Sequence, residues 1–407
     1  MKKTCILAAL LLLALLCLSG CSGGMEIESG LFVLSMAVDP APDGNLTVTV
    51  KALSGTQEAV GGGDTQGGSN AQAGASSPSG TQENGGAKAD SSAESPEPGY
   101  IVMSATAPSC LRALDLLSAT TPRTLNLSQL KEIVINETLA RTQATLSILK
   151  EIHSLYRAGG GAVVVVTPDN AGDFIRRQRA VLGVRLSKYL QVLFEHFSSI
   201  DTIPPDAQLS RVIAAMESGT RDAAAVYAAG NDFSGTLVLP GAPQTDRLPG
   251  HLPRTSPASN EYLGSAVFSG PQMVGVLTGD ETGLLCLLTG KAQTRTFTLG
   301  GAQYKANVST RVSRTLDRET GALGVEIRMN LTRIAGESGD AAGDIARQIE
   351  TAAAALIARL QAMGSDAVGF GRSAVRRSLT IADWNRANWP AAYSGAPVRV
   401  TARVRLL

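Results

Sequence analysis

Cys21 is the residue of this sequence whose type and setting indicate the most specific chemistry. It ends the segment Leu-Ser-Gly-Cys at residues 18–21, after a basic start at residues 2–3 and an apolar run from Thr4 to Leu18. That order is typical of a secretory signal peptide. Cleavage just before the cysteine would place its thiol at a new N-terminus, where the sulfur can carry a diacylglycerol. The sequence therefore predicts a signal peptide at residues 1–20 and lipidation of Cys21.

Two alternatives to lipidation are an uncleaved membrane anchor and an ordinary signal peptide. The apolar run is short of the roughly 20 residues that a membrane-spanning helix needs. Two or more acyl chains anchor a protein stably, because each buried methylene contributes roughly 0.8 kcal/mol. The segment at residues 18–21 also resembles bacterial lipoprotein signals, and this favours the lipid-anchored alternative.

The other candidates for chemistry indicate structural roles. The sequence contains no G-x-S-x-G elbow, Walker loop or paired Cys-x-x-Cys. The segment Gly369–Ala374 fits a relaxed dinucleotide fingerprint, but it follows a predicted helix instead of a strand, so we predict a tight turn. Cys110 and Cys286 lie in apolar segments and are predicted to be separate buried thiols. Three histidines lie far apart without metal-ligand spacing: His153, His196 and His251. We predict a protein that is not an enzyme and has no cofactor and no metal.

Composition sets the broad class. A length of 407 residues with 44% apolar residues predicts two to three domains with real cores. The chain has 36 Lys and Arg residues and 35 Asp and Glu residues, so no net positive electrostatic field would hold the protein on nucleic acid or an anionic membrane. Glycine, at 43 residues, is about one in ten, which indicates that part of the chain is unstructured.

Hydrophobic patterns divide the chain into segments. Two strands joined by a Pro- and Gly-containing turn come first, and a Gly- and Ser-rich stretch at residues 54–99 then predicts a disordered loop. Strands alternating with helices follow, so residues 21–167 are predicted to form an N-terminal α/β-type domain. The pattern of residues 168–257 is less regular and predicts a smaller middle domain. Residues 258–407 are predicted to form a C-terminal α+β domain. The predicted fold class is α+β, with three domains of mixed or antiparallel sheets and packed helices.

The C-terminal segment has the clearest periodicity. Apolar residues recur at three and four positions between Asp344, a candidate helix cap, and Gly364, and they predict a helix that crosses an antiparallel sheet. The last strand alternates valines with Arg399, Arg403 and Arg405. These arginines could contact phospholipid headgroups or an acidic partner, or form a solvated sheet face.

Several segments together resemble the Ger(x)C, or GerAC-like, lipoproteins. The resemblance includes Glu-Ile-Glu-Ser-Gly-Leu-Phe-Val-Leu at residues 26–34 and Gly-Ser-Ala-Val-Phe at 264–268. It continues with Asp-Glu-Thr-Gly-Leu-Leu at 280–285, Leu-Thr-Gly-Lys at 288–291 and the Asp-Ala-Val-Gly-Phe-Gly turn at 366–371. The order and spacing of these segments cover almost the whole chain after Cys21. The family usually has Trp-Asp directly after the lipidated cysteine, where this chain has Ser-Gly.

The resemblance implies a lipid-anchored C subunit of a spore nutrient germinant receptor. Family members act without enzymatic activity, on the outer face of the spore inner membrane, with integral membrane A and B subunits. An importer's solute-binding lipoprotein is the main alternative, although it would need two similar lobes around a cleft. A lipid-anchored hydrolase is the third possible function. Neighbouring genes would discriminate them, since an ATPase neighbour favours the importer.

Overall fold

The computed structural model of this protein describes residues 30–54, 99–155, 161–181, 185–200, 202–231, 248–250, 252, 259–291, 295–299, 302–306, 311–317, 321–335 and 342–407. The predicted signal peptide, Cys21 and nearly all of the predicted loop at 54–99 lie outside these residues. So does a strand expected at residues 235–239. In the described part of the chain, strands form two sheets with helices packed against them.

The first sheet contains nine of the described strands, in the order β3-β2-β1-β5-β6-β7-β8-β9, with β4 paired to β1. Their bounds are β1 Gly30–Pro40, β2 Leu46–Leu53, β3 Tyr100–Ala107, β4 Thr124–Asn126, β5 Glu132–Asn136, β6 Val163–Thr167, β7 Ala224–Gly230, β8 Asn260–Ser269 and β9 Gln272–Leu277.

The centre of this sheet is parallel and its flanks are antiparallel. Strands β1, β5, β6 and β7 run in one direction, and β6, Val-Val-Val-Val-Thr, is buried at every position. A parallel sheet covered on both faces explains such an uninterrupted apolar strand. The hairpins predicted near residues 31–53 and 265–277 are present as β1–β2 and β8–β9. Ser54 and Gly99, on either side of the predicted loop, are joined by a backbone hydrogen bond of 2.9 Å.

Helices cover both faces of the first sheet. Those packed on one face are α1 Cys110–Ser118, α2 Glu137–Ala140, α3 Thr145–Leu155 and α6 Leu209–Ser218, and those on the other face are α4 Ala171–Arg177 and α5 Leu186–Ser199. The sequence of residues 139–153 predicts a single helix, but the chain breaks between α2 and α3. There the hydroxyls of Thr142 and Thr145 donate to backbone carbonyls of α2, and this competes with helical hydrogen bonding.

The second sheet contains the strands β10 Arg295–Leu299, β11 Ala302–Ala306, β12 Arg311–Leu316, β13 Leu323–Ala335 and β14 Val398–Leu406. Strands β10 to β13 pair antiparallel, but β14 pairs parallel to β13, so the expectation of a purely antiparallel sheet is wrong here. The physical reason is the long helical connection before β14, which returns the chain to the same end of the sheet.

The predicted alternation of β14 is present. Its valines contribute to the hydrophobic core between the second sheet and its helices, whereas Arg399, Arg403 and Arg405 are exposed. Helix α8, Ala342–Ala362, contributes a buried stripe from Ile345 to Leu360 to the same core. The helix begins before Asp344, which lies in its first turn and therefore is not its cap.

The two sheets share a core. Helix α7, Gly279–Leu288, is apolar around its circumference, and its leucines join side chains of β8, β9 and α8 in one cluster. Three short helices complete the chain before β14, namely α9 Gly371–Ala374, α10 Ile381–Ala387 and α11 Trp389–Ser394. The first sheet takes strands from all three predicted segments, and the division at residues 167 and 257 stays a prediction. Among the described helices, none is long and apolar enough to cross a membrane.

Candidate functional site

The structure describes Cys110 and Cys286 but not Cys21, the predicted lipidation site. Cys21 lies outside the described residues, so its lipidation stays a prediction. Cys110 and Cys286 are not joined by a disulfide bond and are each 1% exposed, as expected of separate buried thiols. Burial raises the pKa of the Cys110 thiol to about 12, and the nearby Glu151 carboxylate adds to the shift. Neither cysteine is set up as a nucleophile.

The structure also does not bring together the histidines, which were the other candidate ligands in the sequence. His153 and His196 lie on different helices, α3 and α5, and His251 lies outside the described residues. Within the described ranges no three His, Cys, Asp or Glu residues could hold a metal ion. Gly369 has a φ of +84° in a turn that leads into α9, as predicted from the segment 369–374.

That turn is organised by Asp366. Its Oδ1 accepts hydrogen bonds from the backbone N–H groups of Gly369 and Phe370, both at 2.9 Å. Its Oδ2 accepts from the N–H of Gly371 at 2.7 Å and from Trp389 Nε1 at 3.0 Å. Burial raises the pKa of the Asp366 carboxyl to about 6, although these N–H donors oppose the shift. Four N–H donors therefore face this carboxyl and favour its ionised form.

Asp366 also connects the turn to the first sheet. The N–H of Asp366 donates to Asp222 Oδ2 at 2.7 Å, and Asp222 Oδ1 accepts from the N–H of Gly270 in the β8–β9 turn at 2.8 Å. The neighbouring Ser365 donates its hydroxyl to the Phe268 carbonyl at 2.7 Å. We call this set of contacts the Asp366 junction, and it joins the edge of the first sheet to the helices that precede β14.

A second polar cluster, which we call the Asp206 cluster, lies close by. The Asp206 carboxylate is 2.6 Å from Arg211 Nη1, 2.7 Å from Arg221 Nη1 and 2.5 Å from Lys291 Nζ. Burial alone would raise the pKa of Asp206, but hydrogen bonds from these three cations outweigh it and hold the pKa well below its usual range. Lys291 follows α7, so this cluster also connects the two halves of the chain.

A third cluster is buried inside the first sheet. Glu132 accepts hydrogen bonds from Ser35 Oγ at 2.8 Å, from Tyr262 Oη at 3.2 Å and from Gln178 Nε2. Lys51 Nζ donates to the Gln178 carbonyl, and the lysine is 1% exposed. Burial raises the pKa of the Glu132 carboxyl, against the effect of its hydrogen bonds. The network fixes α4 and β8 relative to the central strands and opens onto no large cavity.

The first sheet has a groove of about 550 Å³ at the N-terminal ends of β5 and β6. Leu130, Phe194 and Ile203 give it apolar walls, and Lys131, the residue before β5, also lines it. Gln208 also lines it, with a buried Oε1 that has no hydrogen-bond partner. These lining residues include no nucleophile paired with a base.

Sequence reasoning missed these clusters. The one available signal for the buried network was a charged residue within an otherwise apolar strand, as at Lys51 and Glu132. No sequence signal indicated the Asp206 cluster, because its members are spread over residues 206–291.

Taken together, the fold and its polar clusters define a mixed α/β protein with two sheets, packed helices and extensive connections between the sheets. Comparisons with known proteins give the family. Residues 23–229 match a family model described as spore germination protein N-terminal domain, and residues 263–407 match one described as spore germination B3/GerAC like, C-terminal. The chain therefore belongs to the GerAC-like spore germination protein family.

One solved structure is also similar to this chain. It is the crystal structure of the GerBC protein, with 12% sequence identity and a TM-score of 0.47 over 91% of this chain and 96% of that chain. No curated protein sequence matches the chain.

Proposed function

We propose that this protein is the lipid-anchored C subunit of a spore nutrient germinant receptor. It acts without enzymatic activity, together with integral membrane A and B subunits, on the outer face of the spore inner membrane. The observation that carries the proposal is the pair of family matches, which together include residues 23–229 and 263–407.

The anchor is the first part of the proposed mechanism. Residues 1–20 are removed as a signal peptide, and Cys21 carries acyl chains in their place. Restricting the protein to the membrane plane raises its effective concentration for integral partners without any new contact. The N-terminal family match begins at residue 23, two positions after Cys21.

The folded part serves as a rigid platform for these partners. The Asp366 junction connects the first sheet to the helices that precede β14, and the Asp206 cluster connects it to Lys291, which follows α7. Buried networks of this kind hold one arrangement of the elements they join. We propose that three units, residues 21–167, 168–257 and 258–407, present surfaces to the A and B subunits in that fixed arrangement.

A pull-down from spore membranes tests the proposal. Tagged wild-type protein, Cys21→Ala and Cys110→Ala are each recovered in mild detergent, and the proteins that accompany them are identified by mass spectrometry. Cys110→Ala is the matched control, because it removes a buried thiol that no lipid can reach. We expect two integral membrane partners with the wild type and the control, and weakened or lost partners with Cys21→Ala.

The N-terminal peptide of the wild type should carry the mass of a diacylglycerol, and that of Cys21→Ala should not. Co-purification of an ATP-hydrolysing importer, or absence of the protein from spores, would overturn the receptor proposal in favour of a solute-binding lipoprotein.

A further inference from the structure

The C-terminal part of the chain holds two large apolar side chains almost entirely in solvent. Leu379 is 95% exposed and Ile381 80% exposed. Among the other exposed large apolar residues that the structure describes, Leu407 is at the chain end with 63%, and Val192 follows with 47%. Single exposed apolar residues are ordinary, but two so exposed and only two positions apart require an explanation.

Local structure holds this pair outward. Thr380, between the two residues, caps α10: its hydroxyl accepts from the N–H of Asp383 at 3.1 Å, and Asp383 Oδ2 accepts from the N–H of Thr380 at 3.1 Å. No residue of α10 is buried. Behind the pair, Trp384 of α10 stacks on Trp389 at a ring-centroid distance of 6.0 Å. The pair therefore protrudes from a capped turn that is fixed to the core through Trp389.

Positive charge lies on both sides of the pair in the sequence. Arg372, Arg376 and Arg386 are exposed, and the acidic residue between residues 371 and 388 is Asp383, which pairs with Arg386. The chain as a whole has a formal net charge of only +1, so this segment is more basic than the chain as a whole. Apolar side chains beside arginines, with a tryptophan at their base, match the interface of an anionic lipid bilayer.

We propose that Leu379 and Ile381 insert into the headgroup region of an anionic membrane, with the neighbouring arginines on lipid phosphates. The surface area that the two side chains would bury distinguishes a lipid bilayer from a protein as their partner. Burying two aliphatic side chains removes on the order of 200 Å² from water, whereas a specific protein interface buries about 1,000 Å² or more in total. A protrusion of this size suits insertion between lipids.

The proposed anchor limits how far the folded part can lie from the membrane. Eight residues lie between Cys21 and Gly30, the first residue of β1, so nine steps along the chain join them. An extended segment of that length reaches at most about 30 Å. This step rests on the proposed lipidation of Cys21, while the exposure and charge of the protrusion do not depend on it.

The tryptophans provide a direct test, because the chain has 2 of them, Trp384 and Trp389, which stack on each other, and Trp384 belongs to α10 together with Ile381. The full lipidated protein is placed in vesicles of phosphatidylglycerol or phosphatidylcholine that contain lipids with brominated acyl chains. Bromine quenches tryptophan emission only at short range. We expect quenching in phosphatidylglycerol to exceed that in phosphatidylcholine by about twofold or more.

Variants assign the effect to the protrusion. Leu379→Ser with Ile381→Ser should reduce quenching in phosphatidylglycerol to the phosphatidylcholine level, without changing the emission maximum in bromine-free vesicles. The matched control is Leu116→Ser with Val192→Ser, which changes two apolar residues that are 40% and 47% exposed on helices of the first sheet. It should leave quenching unchanged.

A second measurement needs neither the anchor nor a receptor partner. Binding of the Cys21→Ala chain to phosphatidylglycerol vesicles, measured by sedimentation, should weaken at least about tenfold when Leu379 and Ile381 are both serine. Equal quenching and equal binding by the serine variant would overturn the proposal. Quenching that appears only when integral partner subunits are present would also overturn it, because the protrusion would then contact protein. Loss of partners in the pull-down, with quenching retained, would instead refute only the receptor proposal.

Discussion

Asp206 gives the sharpest test of how the two halves of the chain are joined. Its side chain is 16% exposed and contacts Arg211, Arg221 and Lys291 through its two oxygens. Asp206→Asn keeps the shape but removes the charge, so three cations lose their common counter-ion. A hydrogen bond to a charged group contributes about 1.5–3 kcal/mol, and partial exposure reduces that value. We expect the free energy of unfolding to fall by about 2–4 kcal/mol.

The pH dependence follows from the lowered pKa of Asp206. Its contribution to stability is present above its usual value of 3.8 and is lost as the pH falls further, because the unfolded chain then takes up the proton first. The difference between the wild type and Asp206→Asn should therefore be about 1 kcal/mol smaller near pH 3 than near pH 6.

Urea unfolding followed by circular dichroism at both pH values measures this difference. Asp173→Asn is the control, because Asp173 pairs with Arg176 on the surface with 59% of its side chain exposed. Its effect should stay within about 0.5 kcal/mol. A loss below about 1 kcal/mol near pH 6 for Asp206→Asn, or a difference that grows on acidification, would refute the role given to the cluster.

Two further predictions concern the Asp366 junction. Asp366→Ala leaves the N–H groups of Phe370, Gly371 and Trp389 without their acceptor, whereas Gly369 keeps the backbone carbonyl of residue 366. We expect the free energy of unfolding to fall by about 4 kcal/mol or more, with an earlier transition in tryptophan emission; a loss under about 1 kcal/mol would contradict this. Gly371→Ala places a Cβ 2.5 Å from the Thr220 carbonyl oxygen and 2.7 Å from Trp389 Nε1, so we expect a loss of more than about 2 kcal/mol in urea unfolding. Gly395→Ala meets nothing within 4 Å and should change stability by under about 1 kcal/mol, so equal effects of the two glycine variants would contradict the packing argument.

Local patterns predicted the elements of this fold better than their arrangement. The hairpin near residues 31–53 and the helix that ends before Gly364 were readable because alternation and three-to-four spacing are properties of neighbouring residues. The pairing of β14 with β13 was not, since the direction of a strand depends on how a 62-residue connection from residue 336 to 397 crosses the sheet. The pairing of β7 with β8, which are separated by residues 231–259, could not be predicted from local patterns either.

The polar clusters were predictable only in part. The segment 369–374 was predicted as a turn, because it follows a predicted helix instead of the strand that a dinucleotide fingerprint needs. That the Asp366 carboxylate would also bind Trp389, 23 residues further on, follows from tertiary packing alone. The exposure of Leu379 and Ile381 had no sequence signal either, because residue type does not say which apolar side chains a core leaves out.

The two proposals together explain why the contact at Leu379 and Ile381 needs little affinity of its own. Two or more acyl chains on Cys21 would anchor the protein stably, so the second contact has only to orient it. With Cys21 anchored, a tether of about 30 Å gives the protrusion at Leu379 and Ile381 an effective concentration in the millimolar range at the bilayer. A contact of only millimolar affinity is then occupied for much of the time. The rigid Asp366 junction matters here, because a second contact fixes the orientation of the platform only if the helix that carries it does not move independently of the sheet.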